Sequence, residues 1–285
     1  MNIRSMGNSI VILQLLLLPL LITIPAPAQA ASVPTLTLSA RQNAQSGIVG
    51  PASLPPFSGR PAPDFTPSFQ TTAHYYVDAV NGSNSTGNGS VINPWQTITY
   101  ALGQVAGPDA EIHVASGSYD EALGESFPIV MEPGVSLTGA AYTSTVILGN
   151  STTYVIHFPS TAVYTESTVI SGFQITNGSE GVRVDGATGG GSSPTIQENW
   201  ITGNDTGIRN VTSSGGRAYT VIKNNLISGN TEYGINDRAD KSSCRAQPQI
   251  EANQITYNGN SGIYCSAEAA GYDTSYCSPT IIGNL

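Results

Sequence analysis

From Ile170 onward the chain repeats one arrangement of apolar and polar positions. It reads Ile170-Ser-Gly-Phe-Gln-Ile175-Thr-Asn177, then Ile196-Gln-Glu-Asn199-Trp-Ile201-Thr-Gly-Asn204, then Ile222-Lys-Asn-Asn225-Leu-Ile227-Ser-Gly-Asn230. Ile250-Glu-Ala-Asn253-Gln-Ile255-Thr-Tyr-Asn258 follows, and Ile281-Ile-Gly-Asn284-Leu285 opens a last copy. The first Ile steps by 26, 26, 28 and 31 residues. Each complete copy also carries a Gly-aliphatic pair: Gly181-Val182, Gly207-Ile208, Gly234-Ile235 and Gly262-Ile263. Short alternating segments bounded by Gly, Asn and Ser are strands and turns. One such unit cannot bury its own apolar face, but stacked units place Ile on Ile in a continuous core. The recurring Asn199, Asn225, Asn253 and Asn284 suit a column of amides hydrogen-bonded from coil to coil at a bend. The period predicts an all-β, single-stranded parallel β-helix. A propeller blade needs about 40 residues, and the Leu ladder of leucine-rich repeats is absent.

The earlier part of the domain is less regular. Glu111–Val114, Gly134–Leu137, Thr145–Leu148, Tyr154–Phe158 and Thr168–Ile170 are strand candidates. Ile98, Ala101, Leu102 and Val105 have helical spacing, which predicts a short helix closing the N-terminal end of the core. The solenoid is expected over residues 72–285. Its last coil has no comparable cap in the sequence, so it is expected to be incomplete or closed by another chain.

The segment before the repeats has a different pattern. Arg4, the apolar run Ile10–Ile24 and Pro25-Ala-Pro-Ala-Gln-Ala30 make residues 1–30 a secretory signal peptide. The run is shorter than the ~20 residues of a membrane span. Residues 31–71 hold Pro51, Pro55, Pro56, Pro61, Pro63 and Pro67 without strand or helix periodicity, and are expected to be an extended linker. The mature chain is therefore expected to be secreted or surface-located, with no membrane insertion. Composition sharpens this. Charged residues are 10%, the net charge is −9, and Lys plus Arg total ten. Nucleic-acid partners are excluded, because they need a basic face to displace counterions.

The start of the domain carries a recognisable pattern. It consists of Tyr75-Tyr-Val-Asp78, a polar loop to Gly89, Asn93-Pro-Trp95-Gln-Thr97-Ile98, Ile112-His-Val114…Gly117-Ser-Tyr119-Asp-Glu121, and Gly134-Val-Ser-Leu137-Thr-Gly139. These residues resemble the opening of domain of unknown function 1565, a branch of the pectin-lyase-like superfamily. The resemblance covers about residues 73–285. It implies a right-handed helix, an exported location and association with polysaccharide, and it implies no particular reaction.

Catalytic motifs of enzymes sharing this fold are not evident. Polygalacturonases resemble one another in paired Asp residues and a Gly-His-Gly turn. Here no two Asp are adjacent, and His74, His113 and His157 lack flanking Gly. Pectin methylesterases share the Gly117-x-Tyr119-x-Glu121 type of turn, but their other signatures are missing. Calcium-dependent lyases need a carboxylate cluster and a basic residue beside the uronate. The oxygen-rich loop Asp78–Asn88 matches no metal loop and reads as a turn. Lys223 is expected to pair with Glu251. No metal or cofactor is expected, calcium entering only under the lyase alternative.

Register supplies the candidate site. One position past the aliphatic pair lie Arg183, Arg209, Asn236 and Tyr264, and two further lie Asp185, Val211, Arg238 and Ser266. If the aliphatic residues point inward, these columns point out. Arg183, Asp185, Arg209, Asp237, Arg238 and Tyr264 are then expected in one sugar-sized patch. Arg pairs with carboxylates and Tyr stacks on sugar rings. The plainer reading has Arg209 neutralising Asp185, and Arg238 a loop carboxylate.

Of the three cysteines, Cys265 and Cys277 bracket a short excursion and are the favoured disulfide. A coil-to-coil bridge from Cys244 to Cys277 stays open. The expected function is binding of cell-wall or extracellular polysaccharide. Two alternatives stand beside it: a lyase acting by β-elimination on uronate glycans, and a structural or adhesive stalk.

Overall fold

A computed structural model describes residues 72–285 apart from 106, 108, 189, 242 and 269–273. The expected signal peptide (1–30) and linker (31–71) lie outside the described residues. The rest is a parallel β-solenoid of about six turns with one short helix. Every paired strand in it is parallel, as a single chain wound in coils requires.

Three long sheets form the walls. The first runs through Ala73–Val77, Ala110–Val114, Val135–Gly139, Val169–Ser171, Thr195–Gln197, Val221–Lys223, Gln249–Glu251 and Thr280–Ile282. The second holds Gly117–Tyr119, Thr145–Leu148, Gln174–Thr176, Trp200–Ile201, Leu226–Ser228 and Gln254–Thr256. The third holds Ile129–Val130, Tyr154–Phe158, Glu180–Asp185, Thr206–Thr212, Tyr233–Ala239 and Ser261–Ala267. A fourth, small sheet of Arg217–Ala218, Arg245–Ala246 and Tyr276–Cys277 grows from the later coils.

The predicted Ile ladders are present in register. Ile170, Ile196, Ile222, Ile250 and Ile281 stack in the first sheet. Ile147, Ile175, Ile201, Ile227 and Ile255 stack in the second. Val182, Ile208, Ile235 and Ile263 stack in the third. Most of these side chains are completely buried. Phe173 joins this core, whereas Trp200 lies partly exposed and donates Nε1–H to Ser228. The glycine of the first three Gly-aliphatic pairs is set by packing: a Cβ on Gly181, Gly207 or Gly234 would sit 2.5–2.6 Å from the carbonyl oxygen of the next coil's glycine.

Asn side chains hold two of the corners. At the bend between the first and second sheets, Asn199, Asn225 and Asn253 each donate a side-chain amide to the next Asn, ending at Asn284. A second column, Asn204, Asn230 and Asn258, does the same after the second sheet. The preceding residues Glu198, Asn224, Ala252 and Tyr257 are left-handed, with φ of 53–56°. That strain is offset by the hydrogen bonds of the Asn that follows.

The first coil is closed by α1 (Ile98–Gln104), as the spacing predicts. Thr97 caps it by accepting from the Tyr100 amide, and Asn84 Oδ1 accepts the Gln96 and Thr97 amides. The buried carboxylate of Glu125 accepts from the Ile98 and Thr99 amides at the positive end of the helix. Burial pushes Glu125 above the ordinary carboxylate pKa, although Thr99 and Ile98 pull it back. Trp95 stacks on Tyr75 at 5.4 Å. Its ring passes where a Cβ on Gly89 would stand, at 2.6 Å and with Gly89 φ at +75°, so the polar loop must end in glycine.

Candidate functional site

The third sheet presents the predicted stripe. Successive coils bring His157, Arg183, Arg209, Asn236 and Tyr264 into one lateral column. With strands ~4.8 Å apart, five positions span about 19 Å. Beside it runs the column of Asp185, Val211, Arg238 and Ser266. On the other side lie Tyr154, Glu180, Thr206 and Tyr233.

The charges in the stripe are paired with one another. Arg183 Nε donates to Asp185 at 2.8 Å, and its Nη1 reaches Glu180 at 3.2 Å. Arg209 Nη1 donates to the other Glu180 oxygen at 3.0 Å. Asp185 also meets His157 Nε2 at 2.8 Å. The Arg183 guanidinium lies over the Tyr154 ring, 4.7 Å from its centroid. Two guanidiniums therefore face two carboxylates, and the patch is close to neutral. Burial pushes the Glu180 carboxyl above its usual range despite Arg183 and Arg209. Asp185 is also partly buried, but its bonds to His157 and Arg183 outweigh that and hold it low. Burial works against the Arg183 charge, yet Glu180 and Asp185 more than compensate and raise its pKa.

Most of the predicted patch is thus brought together, with corrections. Asp237 does not belong to it. Strand alternation turns Asp237 to the inner face, where it is completely buried and stacks between Asn210 and Cys265. The expected Arg209–Asp185 pair is replaced: Arg209 goes to Glu180, and Asp185 to Arg183. Arg238 does find a loop carboxylate, Asp240, at 2.8 Å, with Glu268 at 3.7 Å. Tyr264, 41% exposed, packs against Tyr233 with ring centroids 5.0 Å apart. Lys223 is the register neighbour of Glu251 on the first sheet, away from the stripe. Cys265 and Cys277 form the disulfide, and Cys244 is buried with Ala239 and Ala246 beside Cys277.

Two members of the network escaped the sequence. Glu180 precedes its Gly-aliphatic pair, where the other coils carry Thr206, Tyr233 and Ser261 and no charge repeats. His157 belongs to a coil with no Gly-aliphatic pair, so its register with Arg183 was invisible. On the first sheet, His74, Glu111 and His113 also come together on neighbouring strands. The Asp78 loop is the expected turn: its carboxylate accepts from the Val80 and Asn81 amides and from Asn81 Nδ2. Tyr119 is buried and donates to the Ala115 carbonyl, so the Gly117-x-Tyr119 turn is structural.

A family model described as "Protein of unknown function (DUF1565)" matches residues 80–284, most of the chain. No curated protein and no solved structure matches it.

Proposed function

We propose, from the premise that this chain belongs to the DUF1565 family, that its third sheet binds extracellular polysaccharide of low charge. The observation carrying this reading is the column His157–Arg183–Arg209–Asn236–Tyr264, in which Asn236 is buried and the other four reach the surface, flanked by the partly exposed Tyr154 and Tyr233. A linear polymer meets a linear row of donors and aromatic rings, at a spacing set rigidly by the coils. Charge pairing within the row favours hydroxyl-rich sugars over strongly anionic ones, because Glu180 and Asp185 already occupy both arginines. The leader-like segment at residues 1–30 supports an exported location for such a surface.

The same pairing weighs against an arginine-based lyase. A base that removes a proton must first lose one, and both carboxylates keep Arg183 protonated. One observation favours elimination by another route: His157, 2.8 Å from Asp185, has the oriented imidazole a general base requires. Calcium would belong to this second reading only.

Affinity electrophoresis of the full chain in gels of neutral and uronate-rich polysaccharides tests the proposal. Retardation is expected in neutral gels. The Tyr233→Ala/Tyr264→Ala variant is expected to weaken it about tenfold, the scale of two lost ring contacts. Unchanged retardation in that variant and in Arg209→Ala would overturn the assignment to this sheet. Unsaturated sugar ends released by the wild type but not by His157→Ala would replace binding with elimination. No retardation in any gel would leave the stalk reading.

A further inference from the structure

On the outer face of the first sheet, the first two coils place three metal-ligating side chains side by side. His74 and Glu111 are direct partners across neighbouring parallel strands. His113 stands two residues beyond Glu111, on the same face by strand alternation. His74 Nδ1 and His113 Nε2 are 3.0 Å apart. Glu111 Oε2 lies 3.5 Å from His74 Nδ1 and 3.7 Å from His113 Nε2. A tetrahedral ion with ligand bonds of 2.0–2.1 Å needs ligand atoms about 3.4 Å from one another. The three edges bracket that value.

The surroundings hold these atoms in place. Thr138 Oγ1 donates to Glu111 Oε1 at 2.7 Å, which fixes the carboxylate and leaves Oε2 toward the imidazoles. Such an outer hydrogen bond is the usual support of a ligating carboxylate. The His113 ring stacks on Tyr76 at 5.1 Å and on His74 at 5.2 Å. Two open grooves of about 450 and 430 Å³ meet at this cluster. One is lined by Glu111, Ser136 and Thr138, the other by Tyr76, His113 and Thr138.

We propose that His74, Glu111 and His113 form a three-ligand site for a zinc-class divalent transition ion, with its fourth position open to the grooves. Two imidazoles and one carboxylate select this class over calcium, which takes six to eight oxygens. A closed structural site would use four protein ligands, whereas three with an open position are the arrangement that leaves room for water or substrate. The linear sequence hides the site, because His74 sits 37 and 39 positions before the other two ligands and only the coil brings it beside them.

The test uses untagged full chain treated with a chelator and titrated with zinc by calorimetry, with cobalt absorbance reporting geometry. One ion per chain and a tetrahedral cobalt spectrum are expected. His74→Ala and His113→Ala should each weaken zinc binding by roughly 100-fold, and Thr138→Val by about 10-fold. Binding should fail at acidic pH, where protons compete for both imidazoles. Circular dichroism confirms that each variant is folded. No zinc binding by the wild type, or binding indifferent to both His substitutions, would overturn the proposal. Glycan retardation by the third sheet is read separately with and without chelator, so either reading can fail alone.

Discussion

Asn225→Ala is expected to cost on the order of 3–5 kcal/mol, a large share of the stability of any domain. Asn225 is 2% exposed and serves three coils. Its Oδ1 accepts from the Asn199 backbone amide at 3.0 Å and from Asn199 Nδ2 at 3.2 Å. Its Nδ2 donates to the Ile196 carbonyl at 2.9 Å and to Asn253 Oδ1 at 3.0 Å. Alanine strands the Asn199 N–H in the interior, at about 1–3 kcal/mol, and removes the bonds to the Ile196 C=O and to Asn253 Oδ1 as well. The left-handed backbone at Asn224 also loses the bonds that hold it. Urea denaturation checks this: the midpoint should fall with the slope unchanged. A lower slope would mean that the solenoid has come apart into two arrays at this coil, since coils are coupled only through neighbours. Asn258→Ala, at the less buried end of the second column, is the comparison and should cost about 1 kcal/mol. A cost below about 1 kcal/mol at Asn225 would show that the column exchanges its bonds freely with water.

The Asn column and the Ile ladders were legible because stacking repeats whatever one coil does. Ile196 faces Ile222 for the same reason that Asn199 faces Asn225, and period alone exposes both. Helix α1 was legible from four apolar positions, but Glu125, which accepts its first amides, was not. That carboxylate arrives from a later, irregular segment with no periodic signal. The candidate stripe was half legible. Arg183 and Arg209 follow from alignment on the Gly-aliphatic pair, yet their partner Glu180 could be found only by knowing which way its side chain turns. Asp237 neighbours Arg238 in sequence but not in space, because adjacent strand residues face opposite sides. His74, Glu111 and His113 have no sequence signature, since the juxtaposition is made by the pitch of the first coil.

The buried Asp237 carries the second large effect: Asp237→Asn should stabilise the protein at alkaline pH and leave it nearly unchanged near pH 4. Asp237 Oδ1 accepts from Asn210 Nδ2 at 2.6 Å, and Thr220 in turn donates to Asn210 at 2.7 Å. Asp237 Oδ2 has no hydrogen-bond partner among the described residues. Burial therefore pushes the Asp237 carboxyl up to about 7, only partly opposed by Asn210. In the unfolded chain the same group titrates near 4. The folded state holds its proton where the unfolded state has lost it. Stability is full below pH 4, declines through the window from about 4 to 7, and stays reduced above it. Three pH units at about 1.4 kcal/mol each give a loss on the order of 4 kcal/mol. Asparagine does not ionise, so the variant escapes that loss. The amide takes the place of a protonated carboxyl of the same shape, with its own donor and acceptor, so nearly all of that loss is recovered as a gain at pH 8. Glu125 and Glu180 are also shifted upward and add slope of the same sign to both proteins. The difference between the two stability curves therefore isolates Asp237. Urea midpoints from pH 4 to 9, with the Cys265–Cys277 bond kept oxidised, should converge at the acid end and separate above pH 7. Parallel curves would show that Asp237 stays ionised inside the coil, with its charge compensated by groups other than Asn210.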